Sequence, residues 1–144
     1  MRFLSREDLL TIARFTALPA TTRVRSQLDL RLVLTVPTQG LHEDTVPTER
    51  LLEAVSMFAT LFVHRKPFTD FNEEITARCV DTLLVRNGLQ LQAPPDDLLV
   101  QLSRLKEDLH FTELAEWFGG RVQAVDSTRL LEDAPFSTDV RKDS

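Results

Sequence analysis

Between Ile75 and Leu84 the apolar residues fall at Ile75, Cys79, Val80, Leu83 and Leu84. Steps of three, four and five residues are helical steps, and here they wrap more than one face. A helix that is apolar on several faces is stable only when other elements surround it. The chain must therefore build a bundle around this segment, and the rest of the sequence supplies the other helices.

Leu51, Val55, Phe58 and Phe62 form the stripe of a helix that starts near Thr48, the expected N-cap, and runs to about Val63. Leu98, Leu102, Leu105 and Leu109 define another helix, introduced by Pro94-Pro95 and running from Asp96 to Leu109. Leu9, Ile12 and Ala13 mark a first helix, opened by Ser5 and Asp8 in a capping-box spacing and ended by Pro19. A second helix is expected over Gln27 to Thr35. A short last helix runs from Glu113 to Phe118, capped by Thr112 and stopped by Gly119-Gly120. The central helix itself spans Asn72 to Asn87, with Asn72 as N-cap and Gly88 in the left-handed position that ends it. Residues 20–26 read as a loop, and residues 37–47 as a long loop or short hairpin over one face. The fold class expected is all-α, in one domain over residues 1–120. Residues 121–144 read as a C-terminal extension, mobile at its end.

The 144 residues suit a single core. A net charge of -5, spread along the chain, argues against a nucleic-acid surface. One cysteine, Cys79, cannot form an internal disulfide, and its place in the apolar run makes it a buried thiol. No apolar run reaches the roughly 18 residues of a membrane span, and the first residues lack the pattern of a signal peptide. The expected location is cytoplasmic, with neither membrane nor nucleic acid as partner.

Residues 66–75 read Lys-Pro-Phe-Thr-Asp-Phe-Asn-Glu-Glu-Ile. They resemble the active-site motif of the Fic/Doc superfamily, His-Pro-Phe-x-Asp-Gly-Asn-Lys-Arg-Thr, with Phe68, Asp70 and Asn72 in register. Lys66 stands at the histidine position, Phe71 at the glycine, and Glu73 and Glu74 at the lysine and arginine. The flanking pieces, Glu7-Asp8-Leu9-Leu10, Gln39-Gly40-Leu41, Asn87-Gly88-Leu89 and Glu113 to Phe118, follow in the order of the death-on-curing (Doc) branch. The resemblance covers residues 1–118. It implies a helical bundle around a central helix. It further implies an ancestry among transferases that move adenylyl or phosphoryl groups from ATP to proteins. Doc toxins phosphorylate elongation factor Tu and are restrained by a small antitoxin that folds onto them.

The substituted positions are those that handle phosphate. A histidine is a base near neutral pH, whereas a lysine is protonated there. Lys66 serves as a base only if burial or a neighbouring cation lowers its pKa by several units; otherwise it is a solvated charge. A glycine permits the left-handed backbone that opens an anion nest. Phe71 is expected instead to pack its ring. Exchanging Lys and Arg for Glu73 and Glu74 changes the local charge by four units. One like-charge contact at about 4 Å costs about 4 kcal/mol at an effective dielectric near 20. In a first helical turn the same carboxylates are favourable, by about 0.3–1 kcal/mol each. Asp70 is expected to make a loop hydrogen bond, and Phe68 to anchor the loop in the core. His64 is out of register for a substitute base. Glu73 and Glu74 point about 100° apart on a helix, which disfavours a shared metal with Asp70 and His64.

The expectation is a degenerate Doc-type protein, a pseudoenzyme related to toxin–antitoxin pairs. It would act through a protein partner, either an antitoxin-like segment or a second copy. The alternative is an active transferase with a remodelled site, in which Lys66 and Asp70 carry the chemistry. No cofactor is expected for the first; ATP and Mg²⁺ belong to the second.

Overall fold

The computed structural model describes residues 2–16, 22–39, 41 and 46–125. Six helices follow in order: α1 (Arg6–Thr16), α2 (Gln27–Thr35), α3 (Thr48–Arg65), α4 (Asn72–Arg86), α5 (Pro95–Leu105) and α6 (Phe111–Gly119). A three-residue 3₁₀ turn, Val36–Thr38, follows α2. Two short strands, β1 (Leu89–Leu91) and β2 (Val122–Ala124), pair antiparallel with Leu89 opposite Ala124. The protein is an all-α bundle, with one small ribbon among the described residues. Among the described residues no helix is long and apolar enough to cross a membrane.

The core is centred on two helices. In α4, Ile75, Cys79, Val80, Leu83 and Leu84 are fully buried, and the helix touches α1, α3, α5 and β1. The longer α3 buries Leu51, Leu52, Val55, Phe58, Ala59, Phe62 and Val63 against α2, α4, α5 and α6. Each fully buried Leu, Ile or Phe contributes about 1.5–3 kcal/mol, so this pair of helices dominates the stability. Desolvation pushes the Cys79 thiol far above its ordinary value, which makes it unreactive while the fold is intact.

Both ends of α4 are held by asparagine amides. The Asn87 side chain donates to Arg2 O at 2.7 Å and accepts from Arg2 N at 2.8 Å. The Asn72 side chain grips Phe68 in the same way at the other end. Gly88 has φ +78°, the left-handed conformation expected there, and its carbonyl accepts from Val125 N at 2.7 Å. That bond fixes the segment leading out of β2.

Several helix boundaries differ from the sequence-based expectations, for local reasons. Thr48 is the first residue of α3, not its cap: Pro47 holds the cap position without a side-chain bond. The helix runs two residues past Val63, to Arg65. Asn72 does not cap α4 either, because its amide is spent on Phe68, and Phe71 takes that position. The fifth helix begins at Pro95 and ends at Leu105, not Leu109. The N–H groups of Asp108 and Leu109 both converge on Arg104 O, closing a tight turn that keeps Leu109 buried without continuing the helix. The last helix begins at Phe111, and its cap is His110 rather than Thr112. The His110 Nδ1 accepts from Thr112 N at 3.2 Å, while His110 N donates to Glu113 Oε1 at 3.1 Å. Pro19, Gly40, most of the loop at 42–45, and the tail from residue 126 lie outside the described residues.

Ser5 and Asp8 do form the reciprocal box: Asp8 N donates to Ser5 Oγ at 3.1 Å and Ser5 N to Asp8 Oδ2 at 3.0 Å. Asp8 also meets Arg86 at 2.7 Å, tying the start of α1 to the end of α4. The Arg86 hydrogen bond, then the Ser5 N–H, hold the Asp8 carboxyl well below its ordinary 3.8. A depressed carboxyl stabilises the fold above its unfolded-state pKa and loses that contribution as pH falls through the folded one. Asp8→Asn is therefore expected to cost about 1 kcal/mol at pH 7, given a half-exposed pair and one cap. The difference from the parent should shrink as pH falls below about 4. Urea unfolding at a series of pH values checks this, and a gap that stays constant into acid would refute it.

Candidate functional site

The segment from Lys66 to Glu74 joins α3 to α4 and is zipped to residues 23–26. Val24 and Phe68 form an antiparallel bridge. Thr69 N donates to Arg23 O at 2.9 Å, and Pro67 O accepts from Arg25 N at 2.6 Å. Arg25 is the clasp. Its Nε donates to Lys66 O at 2.7 Å, its Nη2 donates to Arg65 O, and the same guanidinium pairs with Asp29 at 2.9 Å. These carbonyls belong to the last turn of α3, where free C=O groups and the negative end of the helix dipole favour a cation. Arg25 is the residue that sequence reasoning missed at this site. The available signal was an arginine one residue before a Ser26 cap and four before Asp29, since Ser26 Oγ does accept from Asp29 N at 3.1 Å.

Two non-glycine residues with positive φ bracket the loop, Lys66 at 50° and Phe71 at 61°. Phe71 thus retains the left-handed backbone that a glycine would adopt at that position, despite its β-carbon. Its ring is only half covered, short of the packing expected: the residue is 49% exposed. The conformation is imposed by its neighbours, with Phe68 buried on one side and Ile75 N bonded to Phe71 O on the other. A left-handed residue with a β-carbon costs about 1–2 kcal/mol. Phe71→Gly removes that strain together with a half-covered ring, so it is expected to raise stability by no more than about 1 kcal/mol after the greater unfolded-state entropy of glycine is counted. Thermal and urea unfolding check the sign, and a net loss would mean that the ring has a contact worth more than the strain.

The other motif residues go to separate places. Phe68 is the core anchor expected, 3% exposed and stacked on Phe62 at 6.0 Å. Lys66 is exposed at the end of α3; its N–H donates to Phe62 O at 2.9 Å and its carbonyl accepts from Arg25. Asp70 is exposed, and the expected loop hydrogen bond is not seen among the described residues. His64 is exposed on the last turn of α3. Glu73 accepts from Ser103 Oγ at 3.1 Å and pairs with Lys106 of the turn after α5. That hydrogen bond raises the Lys106 pKa above its ordinary value. Glu74 points elsewhere, into a cleft of about 650 Å³ between α4 and α5. Asp81 lines the same cleft. It keeps much of its surface in water, yet burial against the cleft walls pushes its carboxyl up, against the opposing pull of Arg78.

Chemically, the arrangement places two carboxylates on the first turn of α4, one of them internally neutralised. Among the described residues no group of three or more His, Cys, Asp or Glu side chains is placed to hold a metal ion. Trp117, partly buried, carries Arg121 over its ring at 4.8 Å, and Phe118 is fully buried. The class defined by fold and site is a helical bundle whose loop before α4 is tied to residues 23–26 by backbone hydrogen bonds. No protein-family model, curated protein or solved structure matches the chain.

Proposed function

We propose that the chain is a degenerate relative of the Doc branch that acts by binding another protein, with weak or no phosphoryl- or nucleotidyl-transfer activity. The observation that carries this reading is the state of Glu73. Glu73 belongs to the first turn of α4, whose free N–H groups would receive an anion, and its carboxylate is turned to α5. It is held there by Ser103 and Lys106. A nucleotide phosphate at that turn would meet the negative charge of Glu73, offset in part by Lys106, and that of Glu74 as well. Lys66 supports the same reading: it is exposed, without the burial that a lysine needs to serve as a base.

Calorimetric titration of the protein with ATP and Mg²⁺ tests the reading. Binding no tighter than about 1 mM is expected. Micromolar binding would overturn the reading in favour of a working transferase with a remodelled site. Induced expression in a bacterial host gives an independent check. Growth arrest abolished by Lys66→Ala would show that the site performs chemistry.

A further inference from the structure

We propose that the cleft between α4 and α5 receives a helix of a partner protein, one bearing a basic–acidic–basic series of side chains beside an apolar stripe. This rests on the reading of the chain as an interaction protein and names the chemistry of the partner.

The wall supplied by α4 consists of Glu74, Ala77, Arg78, Asp81 and Val85. These recur at three- and four-residue steps, so they form one face of the helix. The face spans twelve residues from Glu74 to Val85, and its eleven rises of about 1.5 Å make about 16 Å, or three turns. The floor is apolar, made by Leu91, Leu98 and Leu99. Val85, at one end, is 45% exposed. Ala77, near the middle, is the smallest side chain on the face and lets another backbone approach. Ridges spaced three and four residues apart accept the ridges of a second helix. A strand fits less well, because β1 offers a three-residue edge and is already paired with β2.

The charge order on this face is acidic, basic, acidic. Among the described residues none of Glu74, Arg78 and Asp81 forms an ion pair. Lys106 is near enough to sense Glu74 but is committed to Glu73. A helix laid along the cleft meets these three positions at spacings of four and three residues. It is complementary only if it presents a base, an acid and a base in that order. Rim charges of this kind act mainly by rejecting wrong partners.

Two dye-labelled helical peptides of about four turns, with the same leucine stripe and either Lys–Glu–Lys or Glu–Lys–Glu beside it, are titrated against the full chain by fluorescence anisotropy. The Lys–Glu–Lys peptide is expected to bind at least roughly tenfold tighter at low salt. The variant carrying Glu74→Lys, Arg78→Glu and Asp81→Lys is expected to reverse the preference. Ala77→Trp, which fills the cleft, should abolish binding of both, with far-UV circular dichroism confirming that each variant is folded. Equal affinities, no binding of either peptide below about 1 mM, or a preference unchanged by the reversal would overturn the proposal. So would a concentration-dependent dimer dissolved by Ala77→Trp, since a second copy would then fill the cleft. ATP titrated into the same samples separates this failure from that of the functional reading, which nucleotide binding alone would overturn.

Discussion

Phe68→Ala is expected to lower the free energy of unfolding by about 3–4 kcal/mol. The residue is 3% exposed in a loop, where most side chains reach solvent. Its ring stacks on Phe62, which in turn packs edge-on against Phe58, and Phe58 against Phe3. Truncation removes one end of this aromatic series and leaves a cavity that the surrounding helices cannot fully close. The backbone bridge to Val24 would also lose its anchor. Urea unfolding followed by tryptophan fluorescence measures the loss. Phe68→Leu, which keeps most of the volume, should recover more than half of it. A cost below about 1 kcal/mol for the alanine variant would show that the loop is held by its hydrogen bonds and not by the ring.

Asn72→Ala is expected to cost about 2 kcal/mol. The Asn72 side chain accepts from Phe68 N at 3.1 Å and donates to Phe68 O at 2.9 Å, so one amide satisfies both backbone groups of a buried residue. Each bond contributes about 0.5–1.5 kcal/mol, and a buried donor left unsatisfied costs about 1–3 kcal/mol. Asn72→Asp separates the two bonds. It keeps the acceptor for Phe68 N–H but sets a carboxylate against Phe68 O. It is expected to cost about 1 kcal/mol at pH 7, less than the alanine variant. If Asp and Ala cost the same, the donor half of the clamp carries the interaction. If neither costs anything, the clamp is incidental to the fold.

The helices were legible because their burial is periodic. Gln27–Thr35 was readable residue for residue, and the multi-faced pattern around Ile75–Leu84 correctly placed α4 inside the bundle. Where a polar side chain had two possible partners, local reasoning chose the nearer one. Asn72 was expected to cap the helix that follows it, but the buried backbone of Phe68 is the more demanding partner. Thr112 was expected to cap α6, but His110 reaches the free N–H first, and histidine is not among the favoured cap residues. The ribbon was invisible for another reason. Three-residue strands have too short a period to register, and β1 and β2 are separated by two helices.

At the candidate site the chain's own chemistry was plain and its geometry was not. That Glu73 and Glu74 bring negative charge to a helix start follows from the residues alone. That one of them is neutralised by Lys106 while the other faces a cleft depends on where α5 docks. Phe71 is the sharpest case. Its side chain argues against a left-handed backbone, and only the anchoring of Phe68 and Asn72 around it imposes one.

The sequence by itself determined that this protein is a helical bundle built around a buried central segment, because apolar periodicity and burial are local and additive signals. Only the tertiary structure decided that Arg25 clasps the end of α3, that Glu73 is internally paired, and that an acidic–basic–acidic face without an ion pair among the described residues lies beside α5. Those contacts join residues about 30 or more positions apart, and their partners are selected by packing, not by sequence neighbourhood.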